Sequence, residues 1–272
     1  MATLPDFADC RRDTRSRPDD IEADLVAALA RGEIGIVLQP QFDLVSDELV
    51  GAEALARWKH PRVGTIGADA LFTVAERAGQ AAQLSRHIAV SALAAARVWP
   101  KHLRLSLNVT PAELAEPGCV MDLLGLLAEA EFAADRLTLE ITEQVLIDDL
   151  DGSAGTLAAL KRAGMSIALD DFGAGFCNFR YLKVLPLDTL KLDRSMIVGI
   201  EHDDRDLAVL RAIVALARAL DMSVVAEGIE TEGQRLVASR EGCATYQGFL
   251  RAVPLSPAAF LALAGEDTRL PA

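Results

Sequence analysis

Residues 166–179 read SIALDDFGAGFCNF. An apolar run closes on two adjacent carboxylates, Asp170 and Asp171, and a glycine-rich stretch follows at once. Like charges repel at the end of a core strand, so the pair serves either a bound cation or a solvated turn. The neighbouring segments decide between them. Upstream lie LRLSLNV (103–109) and RLTLEIT (136–142). Downstream lie LDTLKLD (187–193), MSVVAEGI (222–229) and CATYQGF (243–249). Each is a short apolar run of strand length. Further upstream, IGIVLQPQFDL (34–44) and ELVGAEALARW (48–58) read the same way. Between the runs the spacing becomes helical, at about 67–79, 81–98, from Thr110-Pro111 onward, and at about 153–163, 204–220 and 231–240. A helical IEADLVAALARGE, with Asp19 or Asp20 as its cap, precedes the first run, and SPAAFLALAG closes the chain.

Short apolar strands alternating with helices indicate parallel strands covered by helices. About eight strands over some 245 residues predict an α/β fold of the (β/α)8 barrel type. A doubly wound open sheet would want a glycine-rich phosphate loop after the first strand, and none is present. Residues 1–18 are polar, mixed in charge and without period, and read as a tail or linker stub. The barrel is expected over 19–265, with a short tail at 266–272.

The 272-residue chain carries a formal net charge of −13. Such a charge argues against binding a nucleic-acid polymer, which needs a basic face, and suits a site that gathers carboxylates around cations. The four cysteines, Cys10, Cys119, Cys177 and Cys243, form no C-x-x-C pair, which fits a reducing compartment. No apolar run reaches the ~18 residues of a membrane span, and the N-terminus lacks the apolar core of a signal peptide. A soluble cytoplasmic protein without membrane insertion is expected. The histidines show no ligand spacing.

The strand ends carry the chemistry. In order they offer Glu53, Asn108, Glu140, Asp170 with Asp171, Lys191, Glu227 and Gln247. In a barrel these ends converge on one face, where catalytic groups sit. Singly, each residue has a structural alternative: Glu53 as a partner of Arg57, Asn108 as a helix cap, Lys191 as a surface lysine. Their repetition in one order favours a site. Glu, Asn and Asp supply only oxygen, which suits hard ions such as Mg²⁺ or Mn²⁺. Asp170 can bridge two such ions while Asp171 binds one. Two ions about 3.5–4 Å apart are a common device for phosphoester hydrolysis.

The stretches EALARW, LNVTP, EITE, DDFGAGF, LKLD, AEGIE and QGF together resemble the EAL family, which hydrolyses cyclic di-GMP. The resemblance runs over about residues 19–265. It implies a (β/α)8-like barrel with one reversed strand, two Mg²⁺ or Mn²⁺ ions, inhibition by Ca²⁺, the linear product pGpG and a homodimer. Position by position, Glu53, Asn108, Glu140 and Asp170 resemble the ligands of one ion. Asp170, Asp171 and Glu227 resemble those of the second, Glu227 serving as metal ligand or as base. Lys191 resembles the residue that orients the attacking water or steadies the developing charge, and Glu53 and Glu227 complete the catalytic set. Gln39, Leu55, Arg57 and Gln247 resemble substrate contacts, and Glu143 resembles the support of the loop after the paired aspartates. Arg57 also makes independent sense, since a guanidinium can fork onto phosphate.

Two departures stand out. The family's loop commonly continues Tyr-Ser-Ser where this chain has Phe176-Cys177-Asn178, so a weakly bonding thiol replaces a hydroxyl. Leu38 stands where an aromatic often precedes Gln-Pro. No expected metal-ligand type is missing, which favours a phosphodiesterase over a module that holds cyclic di-GMP and signals without turnover. A sensor or cyclase-like domain, if present, lies outside this sequence.

Overall fold

The parallel strands are apolar on both faces because helices cover one side and the barrel interior the other. In the computed structural model, which describes residues 18–142, 150–174 and 179–267, these runs form β4 (Arg104–Asn108), β5 (Leu137–Thr142), β6 (Ser166–Phe172), β7 (Thr189–Leu192), β8 (Ser223–Glu227) and β9 (Thr245–Gln247). They pair in parallel in chain order from β4 to β9, and β2 (Leu49–His60) pairs in parallel with β4. The remaining strand, β1 (Ile34–Asp43), runs antiparallel to both β2 and β9 and closes the eight-stranded barrel. The one reversed strand is therefore β1. An extra short strand, β3 (Gly64–Ile66), folds back on the far end of β2.

The helices are α1 (Pro18–Arg31), α2 (Ala68–Arg77), α3 (Ala81–Ala96), α4 (Pro111–Ala115), α5 (Cys119–Glu129), α6 (Leu150–Arg162), α7 (Phe179–Val184), α8 (Asp204–Ala219), α9 (Glu232–Glu241) and α10 (Pro257–Asp267). Asp19 and Asp20 lie inside the first turn of α1, which starts at Pro18, so neither is its cap. The helical stretch after Thr110 is two helices. Pro117-Gly118 separates them, because proline disfavours helix in the residue before it.

One apolar cluster joins the barrel wall to α3, α5, α6, α8 and α10, with Leu105, Leu139, Ile167, Leu190 and Ala226 at its centre. A second lies beneath α1 and α2, where Trp58, Leu71 and Leu84 are fully buried. Both cores hold the strands rigid and leave their C-terminal ends as one mouth.

Candidate active site

Residues two apart on a strand share a face, and this rule places the polar strand ends. Glu53 (β2) lies opposite Gln39 (β1), Asn108 (β4) opposite Glu140 (β5), and Glu227 (β8) opposite Gln247 (β9). Asn108 does not cap α4. The cap is Thr110, whose side chain accepts from the Glu113 N–H while Glu113 reaches back to the Thr110 N–H. Asn108 is thereby left to the site, where its Nδ2 donates to Glu53 at 2.9 Å.

Lys191 is at the centre and not on the surface; it is only 1 % exposed. Its Nζ lies 2.5 Å from Glu140, 2.9 Å from Asp170, 2.9 Å from Glu227 and 3.3 Å from Glu53. Gln247 donates to both Glu53 (3.0 Å) and Glu227 (2.9 Å). Gln41, which the sequence reading missed, donates to the Gln247 oxygen at 3.1 Å and so fixes which way that amide points. The signal for it was present: Gln41 is two residues from Gln39 on one strand.

Glu53, Leu55, Asn108, Asp170, Asp171 and Glu227 face a cavity of about 590 Å³, whose outer wall is apolar through Phe72, Ile88, Leu123 and Leu126. Lys191 and Glu140 lie deeper and border a second cavity of about 300 Å³ toward the opposite end of the barrel. Two of the expected contacts are held elsewhere. Gln39 donates to the Ala252 carbonyl at 3.1 Å, and the Arg57 guanidinium donates to the Ala56 carbonyl at 3.0 Å. Glu143 and the Phe176-Cys177-Asn178 segment lie outside the described residues.

The electrostatics follow from burial. Burial raises the Glu140 carboxyl well above its ordinary range, and the neighbouring Glu53 adds to this. Burial also raises Asp170, against the pull of Lys191. Glu227 is pushed up to about 8 by burial, with Lys191 opposing and Asp170 assisting. Burial and the adjacent Asp170 charge bring Asp171 to about 6. For Glu53, burial is outweighed by Lys191 and by the hydrogen bonds from Gln247 and Asn108, so its carboxyl falls below the usual value. Lys191 is held charged: four carboxylates overcome its burial.

The donor set fits divalent cations. The oxygens of Glu53, Glu140 and Asp170 lie within 4.8 Å of one another, as do those of Asp170, Asp171 and Glu227. The two groups share Asp170. With all five carboxylates ionised, as cation binding would require, and Lys191 charged, the formal charge is −4, which two divalent cations cancel. All donors are oxygen, the preference of hard ions.

A closed barrel with one reversed strand and an acidic, oxygen-lined mouth defines the class. The EAL domain family model matches residues 22–254, and the chain belongs to that family. It is 35% identical over 243 residues to the bifunctional diguanylate cyclase/cyclic di-GMP phosphodiesterase MucR of Pseudomonas aeruginosa, covering 88% of this chain and 36% of that protein. It is 37% identical over 237 residues to a signalling protein of Caulobacter vibrioides, covering 87% of this chain and 29% of that one. The chain thus spans about a third of the length of these relatives. The MucR phosphodiesterase structure in complex with cyclic di-GMP superposes with a TM-score of 0.82 at 34% identity, over 88% of this chain and 98% of that one. The EAL enzyme Bd1971, with cAMP and cyclic di-GMP bound, gives 0.85 at 27% identity, over 91% of this chain and 69% of that chain. Among the described residues no helix is long and apolar enough to cross a membrane.

Proposed function

We propose that this chain hydrolyses cyclic di-GMP to linear pGpG with two Mg²⁺ or Mn²⁺ ions. The observation that carries the reading is the pair of carboxylate groups joined at Asp170. Glu53, Asn108, Glu140 and Asp170 would hold one ion, and Asp170, Asp171 and Glu227 the other. The ions would supply a nucleophilic water and neutralise charge building on the phosphate.

The chain's own residues divide the remaining work. Lys191 presents a permanent positive charge next to both groups, placed to orient water or steady a developing oxyanion. Gln247, locked by Gln41, keeps Glu53 and Glu227 aimed inward. Leu55 and the apolar wall give the nucleotide a dry surface, and Arg57 reaches a phosphate once it leaves the Ala56 carbonyl. The bifunctional MucR relative and the chain's share of it support a role as one module, folded over 19–265, of a larger signalling protein. A cytoplasmic location and a homodimer belong to the same reading and rest on the sequence and the family resemblance.

The test is incubation of purified protein with cyclic di-GMP and Mg²⁺ or EDTA, followed by chromatography. Conversion to a linear dinucleotide only with Mg²⁺ is the expected result. Tight binding with no conversion would make the chain a receptor instead.

A further inference from the structure

The two carboxylate groups are held in different ways. Glu53, Glu140 and Asp170 stand within strands β2, β5 and β6, so the sheet itself fixes them. Asp171 and Glu227 stand at the C-terminal ends of β6 and β8, Asp171 where β6 and β7 lose register, and the loop after each strand turns on a glycine with positive φ: Gly173 at +102° and Gly228 at +68°. Asp171 itself adopts φ +55°, a strained value for a residue with a β-carbon. A non-glycine residue at either loop position would be strained in the same sense.

One short turn touches both glycines. Residues Arg194–Met196 form a single 3-10 turn directly after β7, the strand that carries Lys191. A β-carbon on Gly173 would lie 2.6 Å from Met196 Cγ and 2.8 Å from its Cε, so the thioether sits on the bare glycine. A β-carbon on Gly228 would lie 2.5 Å from Arg194 Cγ and 2.7 Å from its Cβ, so the arginine stem does the same on the other loop. The turn is anchored at its base. The Asp193 N–H donates to the Phe172 carbonyl at 3.2 Å, the Asp193 carboxylate accepts from the Ser195 N–H at 2.9 Å, and Ile197 beyond it is fully buried. The Arg194 head is fixed by Glu230 at 2.9 Å.

We propose that Met196 and Arg194 are positioning residues that hold the Asp171 and Glu227 loops at the separation a second divalent ion requires. The proposal rests on the two-ion reading above. It explains why the apolar stem of an otherwise exposed arginine packs on a glycine beside Glu227. It also makes the two ion positions unequal. Glu53 and Glu140 lie away from the bracket, whereas Asp171 and Glu227 border the two glycine turns it packs on.

Mn²⁺ titration calorimetry on the wild type, Met196→Ala, Arg194→Ala and Met196→Leu tests this, together with amide hydrogen exchange on the metal-free proteins. The wild type should bind two ions. Met196→Ala and Arg194→Ala should weaken the second by about 10–100-fold, the usual loss when a support of a metal ligand is removed, and leave the first within about threefold. Met196→Leu, which refills the seat, should restore the second. In the metal-free proteins, Met196→Ala should speed exchange at Ala174, whose N–H donates to Asp171. Arg194→Ala should speed exchange at Ile229, whose N–H donates to Gln247. A purely structural role would weaken both ions together, and that result would overturn the proposal. So would two unchanged affinities in Met196→Ala. A wild type that binds a single ion would instead overturn the two-ion reading itself, and the ion-setting role with it. Unchanged exchange in both loops would then overturn the bracket as well.

Discussion

Replacing Lys191 with methionine separates the stability of the site from its chemistry. Lys191 is 1 % exposed and its ammonium contacts Glu140, Asp170, Glu227 and Glu53, all within 3.3 Å. Methionine fills most of the same volume, so the loss is electrostatic. Removing one partner of a buried ion pair costs about 3–5 kcal/mol. At roughly 2–4 °C per kcal/mol for a chain near this size, the melting temperature should fall by ~6–20 °C in EDTA at neutral pH. Proton uptake by the carboxylates limits the loss, since Glu227 already titrates at about 8. Divalent cations replace the missing charge, so saturating Mg²⁺ should return most of the stability. Turnover should not return. A group that acts on the developing charge works in the transition state, so Lys191→Met should bind cyclic di-GMP yet cleave it at least ~100-fold more slowly, the scale of one lost electrostatic stabiliser. Differential scanning fluorimetry with and without Mg²⁺, calorimetric nucleotide binding and single-turnover cleavage read the three quantities. An unchanged melting temperature in EDTA would refute the buried-charge argument. Lost binding with an intact single-turnover rate would refute the role assigned to Lys191.

Asp170→Ala removes the carboxylate common to both groups, so it should abolish turnover and both Mn²⁺ sites in a folded barrel; near-full Mg²⁺-dependent activity would count against the shared ligand. Metal affinity should depend on pH with a definite sign. Without metal, Glu227 holds its proton to about 8 and Asp171 to about 6, and a cation must displace those protons. Apparent Mn²⁺ affinity should therefore climb as pH rises from 6 through 8, with heats that vary between buffers; a flat profile would contradict this. Metal-free stability should fall over the same window, because the folded state holds protons that the unfolded chain has released. Ca²⁺ is larger and tolerates looser geometry, so it should support nucleotide binding but inhibit cleavage; equal rates with Ca²⁺ and Mg²⁺ would show that water alignment is not limiting.

Much of this site was legible in the sequence because barrel strands carry their chemistry at their C-terminal ends. A polar residue closing an apolar run, repeated from Glu53 to Gln247, needs no tertiary information to be noticed. The reversed strand is different. The run from Ile34 to Asp43 alternates the same way read in either direction, and only the pairing of Gln39 with Glu53 and of Phe42 with Tyr246 reveals that β1 is antiparallel. Strand β3 and helix α7 were not foreseen, since three and six residues are too few to display a period. The environment of Lys191 was likewise invisible. Taken alone it reads as a surface lysine, and its burial comes from four strands that meet it only in the closed barrel. Gln41 acts through the Gln247 amide, a contact made across 206 positions of chain.

The central claim is that a water held among these carboxylates attacks a phosphate of cyclic di-GMP. Single-turnover cleavage in ¹⁸O-labelled water, with mass spectrometry of the product, tests it most directly. The account predicts pGpG carrying one ¹⁸O on its terminal 5′-phosphate, formed with Mg²⁺ and absent with EDTA. Intact cyclic di-GMP recovered from a saturated, Mg²⁺-loaded protein, or a linear product without the label, would contradict it.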